Sequence, residues 1–186
     1  MSIMNTKNIP ACLEPLIQYA NGLTERFDVT DLRQRLEALN ISVEDLAEHA
    51  ISDDNGYRRN LVYECEMADF LLLYWKSGQR SPIHNHAGST CGFKVLKGTG
   101  METVFDMTPC GQVVATRTSV MNEGYICAAQ DSDIHQVSNL QAPGNDLITL
   151  HIYSPPLRVM DQYSITGGPV ERYQPTIFEH ADGSGI

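Results

Sequence analysis

The chain has 186 residues, 42% of them hydrophobic, and a formal net charge of −10, enough material for one globular domain with a sizeable core. The acidic balance argues against nucleic acid and anionic membranes as partners, because both are polyanions. No apolar run approaches the ~20 residues of a membrane span, the start MSIMNTKNIP lacks a signal-peptide core, and the five cysteines are scattered without a CxxC; reduced thiols in a cytoplasmic protein are expected.

Residues 1–52 read as a helical segment. After Pro10, Leu13, Leu16, Ile17 and Ala20 recur at helical spacing. Thr30 is placed to cap a second helix carrying Leu32, Leu36 and Leu39. Ser42, three before Asp45, resembles a capping box that opens a third helix through Leu46 and Ala50. His49, at a helix end among acids, reads as a solvated or capping residue. No catalytic groups gather here.

From Asp53 to residue 178 the texture is β. NLVYECEMADFLLLYWKSG predicts two strands around a turn near Glu66 to Asp69, and FKVLKGTGMETVFDM two more around Gly98 to Gly100. GQVVATRTSV follows, then short strands at Tyr125 to Ala128, Ile134 to Ser138 and Leu147 to Tyr153. Short strands with Gly and Asn turns argue for a sandwich or barrel. Val170 to Phe178 adds an edge strand, and the terminal ADGSGI is expected to fray. With no repeat or linker, residues 1–186 form a single domain in this reading.

The chemistry concentrates between Gly78 and Gly98, GQRSPIHNHAGSTCGFKVLKG. On a strand, the two-residue period puts His84 and His86 on one face, where two imidazoles can share a divalent metal. A short motif of this kind is weak alone. Downstream, GYICAAQDSDIHQVSN supplies His135 among strand-like residues.

Together the two stretches resemble the paired motifs of the cupin superfamily. Gly78, His84, His86 and Gly98 fit the first motif, with Cys91 standing where its glutamate belongs. Gly124, His135 and Asn139 fit the second, while Gln130 and Ser132 depart at its turn Pro and Gly. The resemblance implies a mainly β fold, a cupin-type jelly-roll β-barrel with a small N-terminal helical segment. Its metal site would hold three neutral histidines and no carboxylate.

Cupins host many chemistries, and four further blocks narrow the choice. YRRNLV, HNHAGSTC, DIHQVSN and TLHIYSPP, in that order from Tyr57 to Pro156, resemble the thiol dioxygenases, specifically the cysteine dioxygenase family. The resemblance implies Fe(II) held by His84, His86 and His135, with a small thiol and O2 as substrates. It implies that Arg59, with Tyr57, binds the substrate carboxylate, and that Tyr153, paired with His151, points its phenol at the metal. Cys91 matches a cysteine that forms a thioether crosslink to that tyrosine in animal members. Many bacterial members have glycine there, and a one-residue shift would put Gly92 in that place, so a crosslinked Cys91 and an inert buried thiol both stay open.

Physical chemistry favours the same chemistry. Three neutral imidazoles leave a divalent ion its full charge, which favours an anionic ligand and deprotonates a coordinating thiol. A planar guanidinium suits the remaining carboxylate. The product would be a sulfinic acid, two oxygens up the thiol oxidation ladder; the family resemblance implies a route of cysteine catabolism toward taurine. Two other readings remain: a dioxygenase for another thiol acid such as 3-mercaptopropionate, and a non-catalytic cupin holding a ligand or a structural metal. Arg59 favours cysteine over the first, since relatives acting on that acid tend to carry glutamine there. Ni, Mn or Zn also suit three histidines, and the sequence leaves the oligomeric state open, a monomer included.

Overall fold

The run ADFLLLYW, Ala68–Trp75, has no polar face because both of its sides are covered. Phe70 and Leu72 face a cluster formed with the N-terminal helices, whereas Leu71, Leu73 and Trp75 face the barrel interior. A computed structural model describes residues 9–130 and 134–179, and the expected β-barrel with a helical cap is its architecture. The terminal ADGSGI lies outside the described residues, as does Ser132.

Eleven strands are described: β1 Arg58–Cys65, β2 Ala68–Trp75, β3 Ile83–His84, β4 Thr90–Lys97, β5 Gly100–Met107, β6 Val113–Met121, β7 Ile126–Gln130, β8 Ile134–Ser138, β9 Leu147–Ser154, β10 Met160–Tyr163 and β11 Glu171–Tyr173. They form two sheets with orders β1-β2-β9-β4-β7 and β11-β10-β3-β8-β5-β6. Every pairing between these strands is antiparallel. The turn between β1 and β2 is tighter than the sequence suggests, since β2 already starts at Ala68. The edge strand expected over Val170 to Phe178 shrinks to β11, with Phe178 returning as an isolated parallel bridge to Asn60.

The helical segment is α1 Glu14–Asn21, α2 Val29–Ala38 and a 3-10 turn at Glu44–His49. Asp28, not Thr30, caps α2: its carboxylate accepts from the Thr30 and Asp31 amides at 2.8 and 3.0 Å, satisfying two orphan donors of the first turn. Ser42 and Asp45 do exchange bonds, Ser42 N–H to Asp45 Oδ2 at 2.9 Å and Asp45 N–H to Ser42 Oγ at 3.4 Å. They open a 3-10 turn, however, and not an α-helix.

The cap sits on the barrel through one deliberate gap. A Cβ on Gly92 would lie 2.6 Å from Leu32 Cδ2 and 2.8 Å from Leu36 Cδ1, so only glycine lets α2 approach β4. Leu32 and Leu36 are fully buried there, each worth about 1.5–3 kcal/mol of burial. Two residues along the same strand, Lys94 Nζ bonds the Leu36 and Leu39 carbonyls at the end of α2, where a cation meets the negative end of the helix. A second seam ties residue 27 to the end of β9. Phe27 N–H donates to Ser154 Oγ at 3.0 Å, and Thr90 Oγ1 donates to the Phe27 carbonyl at 2.9 Å.

Candidate metal centre and substrate pocket

His84 and His135 are direct cross-strand partners on β3 and β8. His86 lies just beyond β3, which is only two residues long, so the single strand expected to carry both histidines ends between them. A turn instead brings His86 back. Ala87 and Gly88 have φ of 47° and 93°, a left-handed pair that glycine and few other residues accept, and Ser89 N–H closes it onto the His86 carbonyl at 2.9 Å. The ring centroids stand 4.7 Å apart for His84–His135, 4.8 Å for His86–His135 and 5.6 Å for His84–His86.

All three histidines are buried, and one ligating nitrogen from each lies within 4.8 Å of the others. The outer nitrogens define which these are. His84 Nδ1–H donates to the Pro82 carbonyl at 3.0 Å, and His135 Nδ1–H donates to Glu102 Oε1 at 2.8 Å, leaving each Nε2 for the centre. His135 Nε2 is buried with no hydrogen-bond partner, which an interior polar atom rarely tolerates without an unseen ligand. Burial, reinforced by His135, holds His84 down at about 3, and burial likewise depresses His86. Both are therefore neutral at physiological pH, the form that ligates metal. The donor set fits a divalent transition metal.

Facing this triad is the pocket wall from β1, β2 and β9. Alternation along β1 sends consecutive arginines to opposite sides. Arg58 turns away from the pocket and is buried on the other side of the sheet, with Nε donating to Asn60 Oδ1 at 2.8 Å and its guanidinium 4.0 Å over Phe178. Arg59 turns inward, is 3% exposed, and has Nε and Nη2 buried without partners. Burial opposes its charge, but the Tyr153 and Tyr57 phenols beside it outweigh that and hold its pKa up. Tyr57 stacks on Trp75 at 4.2 Å and 9°. Tyr57, Arg59, His84, His135, His151 and Tyr153 line one small cavity.

Behind the tyrosine runs a relay. Trp75 Nε1–H donates to Thr149 Oγ1 at 3.0 Å, Thr149 Oγ1 meets His151 Nε2 at 2.9 Å, and His151 Nδ1 meets the Tyr153 hydroxyl at 3.1 Å. An indole N–H can only donate. The Thr149 hydroxyl therefore accepts from it and also meets the His151 ring, and the other ring nitrogen meets the Tyr153 hydroxyl, so one chain of contacts holds imidazole and phenol in place. Burial and the nearby Arg59 keep His151 neutral. Burial raises the Tyr153 pKa far above that of a free phenol, so it stays protonated.

The β4–β9 register sets Cys91 opposite Tyr153 and Gly92 opposite Ile152. Cys91 points into the barrel with Tyr153, while Gly92 faces α2, so Cys91 is the residue in register with the tyrosine. Cys91 and His86 line a neighbouring cavity with Phe93, Glu102, Cys127 and His135. Burial pushes the Cys91 thiol well up, Cys127 adding to the effect; at rest it is an unionised thiol.

A profile of the cysteine dioxygenase type I family matches residues 10–166. The chain belongs to that family. Cysteine dioxygenase type 1 of Danio rerio is 31% identical over 169 residues, covering 82% of this chain and 81% of that protein. The Homo sapiens enzyme of the same name is 29% identical over 153 residues, covering 79% and 76%. Among solved structures, a protein with a double-stranded β-helix domain from Klebsiella pneumoniae superposes with a TM-score of 0.50 at 16% identity, covering 67% of this chain and 96% of that one, a likeness in fold. Membership makes this chain an oxidoreductase of the thiol dioxygenase class, and the match begins within the helical cap as well as the barrel. No helix among the described residues is long and apolar enough to cross a membrane.

Of the residues singled out in the sequence, Tyr57, Arg59, His84, His135, His151 and Tyr153 line one cavity, and His86 and Cys91 line the neighbouring one. Three further residues escaped the sequence reading. Glu102 carries no motif and meets its histidine 33 positions later. Thr149 and Trp75 read only as strand residues, yet they complete the relay behind Tyr153.

Proposed function

We propose that the protein is an Fe(II) enzyme that adds both atoms of O2 to the thiol of L-cysteine, giving cysteine sulfinic acid. The observation that carries this reading is a buried arginine with unpartnered nitrogens sharing one cavity with His84 and His135, two of three convergent imidazoles. His84, His86 and His135 would hold the ion through Nε2 of His84 and His135 and a ring nitrogen of His86. Bound there, ferrous iron supplies the deprotonation of the thiol and the activation of O2.

The chain's own groups do the rest. The Arg59 fork takes the substrate carboxylate, exchanging lost water contacts for charge-assisted bonds, and Tyr57, braced on Trp75, holds one side of that fork. Tyr153 presents its phenol to the reacting sulfur region, kept in place by His151 and Thr149. The apolar walls exclude water, which strengthens each of these interactions. Proximity of thiol and O2, set by the arginine at one end and the histidines at the other, lowers the barrier. The substrate supplies all four electrons, so no external reductant is needed. A reducing, cytoplasmic setting suits five cysteines of which none is in a disulfide.

Oxygen uptake by the Fe(II)-loaded protein tests the reading. Cysteine should drive consumption well above the metal-only control and faster than 3-mercaptopropionate, with sulfinate appearing mole for mole. Preference for 3-mercaptopropionate would move the substrate, and no uptake with either would leave a binding protein.

A thioether between Cys91 and Tyr153 belongs to the same proposal, supported by their direct register. Joining the cysteine sulfur to the ring removes two hydrogens, with O2 as acceptor, and yields a form about 2 Da lighter that thiols cannot reverse, because a thioether does not undergo thiol exchange. Incubation with Fe(II), cysteine and O2 followed by intact mass and peptide mapping should reveal it. Cys91→Ser should lose the light form yet keep measurable turnover, since that sulfur holds neither metal nor carboxylate. An unmodified Cys91 peptide after many turnovers would remove the crosslink from the scheme.

A further inference from the structure

Glu102 and Asp69 are the only acidic side chains buried among the described residues. Asp69 has a cation, with Arg158 Nη1 at 3.1 Å. Glu102, 7% exposed, is given to an imidazole instead: its Oε1 accepts from His135 Nδ1–H at 2.8 Å. Once His135 Nε2 ligates a metal the ring is neutral, and its Nδ1–H then satisfies the hydrogen bond without balancing the charge of a carboxylate, whose burial without a counter-charge is costly. The balancing charge has an obvious place. It lies on the far side of the same ring, where His135 Nε2 is buried without a partner.

We infer that Glu102 is the positioning residue of the metal centre, orienting His135 and setting the pocket's charge to match a dianionic chelate; this rests on the iron-site reading above. Glu102 and His135 lie on one face of the β5–β8 pair, where Glu102 opposes Val137 and Val104 opposes His135, so the diagonal contact is fixed by strand register. A carboxylate on the outer nitrogen locks the tautomer and makes the inner nitrogen a stronger donor. Cys91 occupies the cupin glutamate's place in the sequence. Glu102 returns that lost negative charge one ring further out, without taking up a coordination position.

Formal charges then close. A divalent ion and Arg59 contribute three positive charges and Glu102 one negative, leaving two. Cysteine bound through thiolate, neutral amine and carboxylate carries two negative charges, so the filled pocket is neutral. Without Glu102 the closed, dry pocket would retain one positive charge, and the empty site would repel the ion more strongly.

Glu102→Gln keeps the shape and removes the charge, and Glu102→Ala removes both. Anaerobic Fe(II) titration against a competing chelator gives metal affinity; melting of the metal-free forms gives fold stability; KM for cysteine is read at saturating iron. Both variants should bind Fe(II) about ten- to a hundredfold more weakly. The metal-free Glu102→Gln protein should melt no lower than the parent, and its KM for cysteine should not rise. Fe(II) affinity within twofold of the parent in Glu102→Gln would overturn the inference. So would a weakened affinity accompanied by a matching fall in metal-free melting and a rise in KM, the pattern of a purely structural residue. If the parent binds Fe(II) but does not oxidise cysteine, the proposed function fails while the comparison of metal affinities still decides the role of Glu102.

Discussion

His135→Ala should purify without stoichiometric iron and show oxygen uptake at the metal-only background. The ring is the only one of the three that bridges the centre to a buried carboxylate, so its removal takes away a ligand and the charge relation behind it together. Two histidines on their own leave a weak, mobile site, and structural precedent for stable sites favours three or more protein ligands. The same deletion strands Glu102 without its donor, a loss of about 1–3 kcal/mol. Circular dichroism and melting must therefore accompany the iron assay. His84→Ala provides the cleaner control, because its outer partner is only the Pro82 carbonyl. A folded His135→Ala protein with full iron and undiminished turnover would refute the ligand set.

Arg59→Ala should raise KM for cysteine roughly ten- to a hundredfold, the equivalent of about 1.5–3 kcal/mol for a lost charge-assisted clamp. Its two unpartnered nitrogens make the interaction one that substrate must complete, since a buried guanidinium gains from a carboxylate what it lost in water. Cysteamine, with no carboxylate, should be nearly indifferent to the change. Equal losses for both thiols would show Arg59 to be structural, holding Tyr57 and Tyr153 apart and not holding substrate. Arg59→Lys should recover only part of the affinity, because an ammonium cannot reproduce the fork.

The histidine triad was legible because the HxH pair and the distant His135 together resemble the paired cupin motifs; strand alternation pointed to the right pair for the wrong reason, since β3 ends between His84 and His86. Arg59 was legible only through resemblance. Nothing in YRRNLV tells which of two arginines faces inward until β1 is registered against β2. Glu102 was one of 23 acidic residues on a strand with no motif, and its role depends on a neighbour that only the sheet supplies. β10 was missed because MDQY is too polar to read as a strand, and β3, expected to run through both histidines, is only the dipeptide IH. The choice of Asp28 over Thr30 as a cap turned on backbone shape. Asp28 is extended, with φ −65° and ψ 138°, as a residue just outside a helix must be, and Thr30 is already inside it.

The place of β9 in its sheet sets an order of events during synthesis. It is one of the last long strands to be made, yet it lies between β2 and β4, two strands made much earlier. Until residue 154 has been added, those two apolar strands have an unfilled gap between them and the substrate cavity lacks its tyrosine wall. The Phe27–Ser154 hydrogen bond, spanning 127 positions, can close only then. Long-range closure of this kind is slow, so a complete pocket exists only once β9 has been made and has found its place between two strands that precede it.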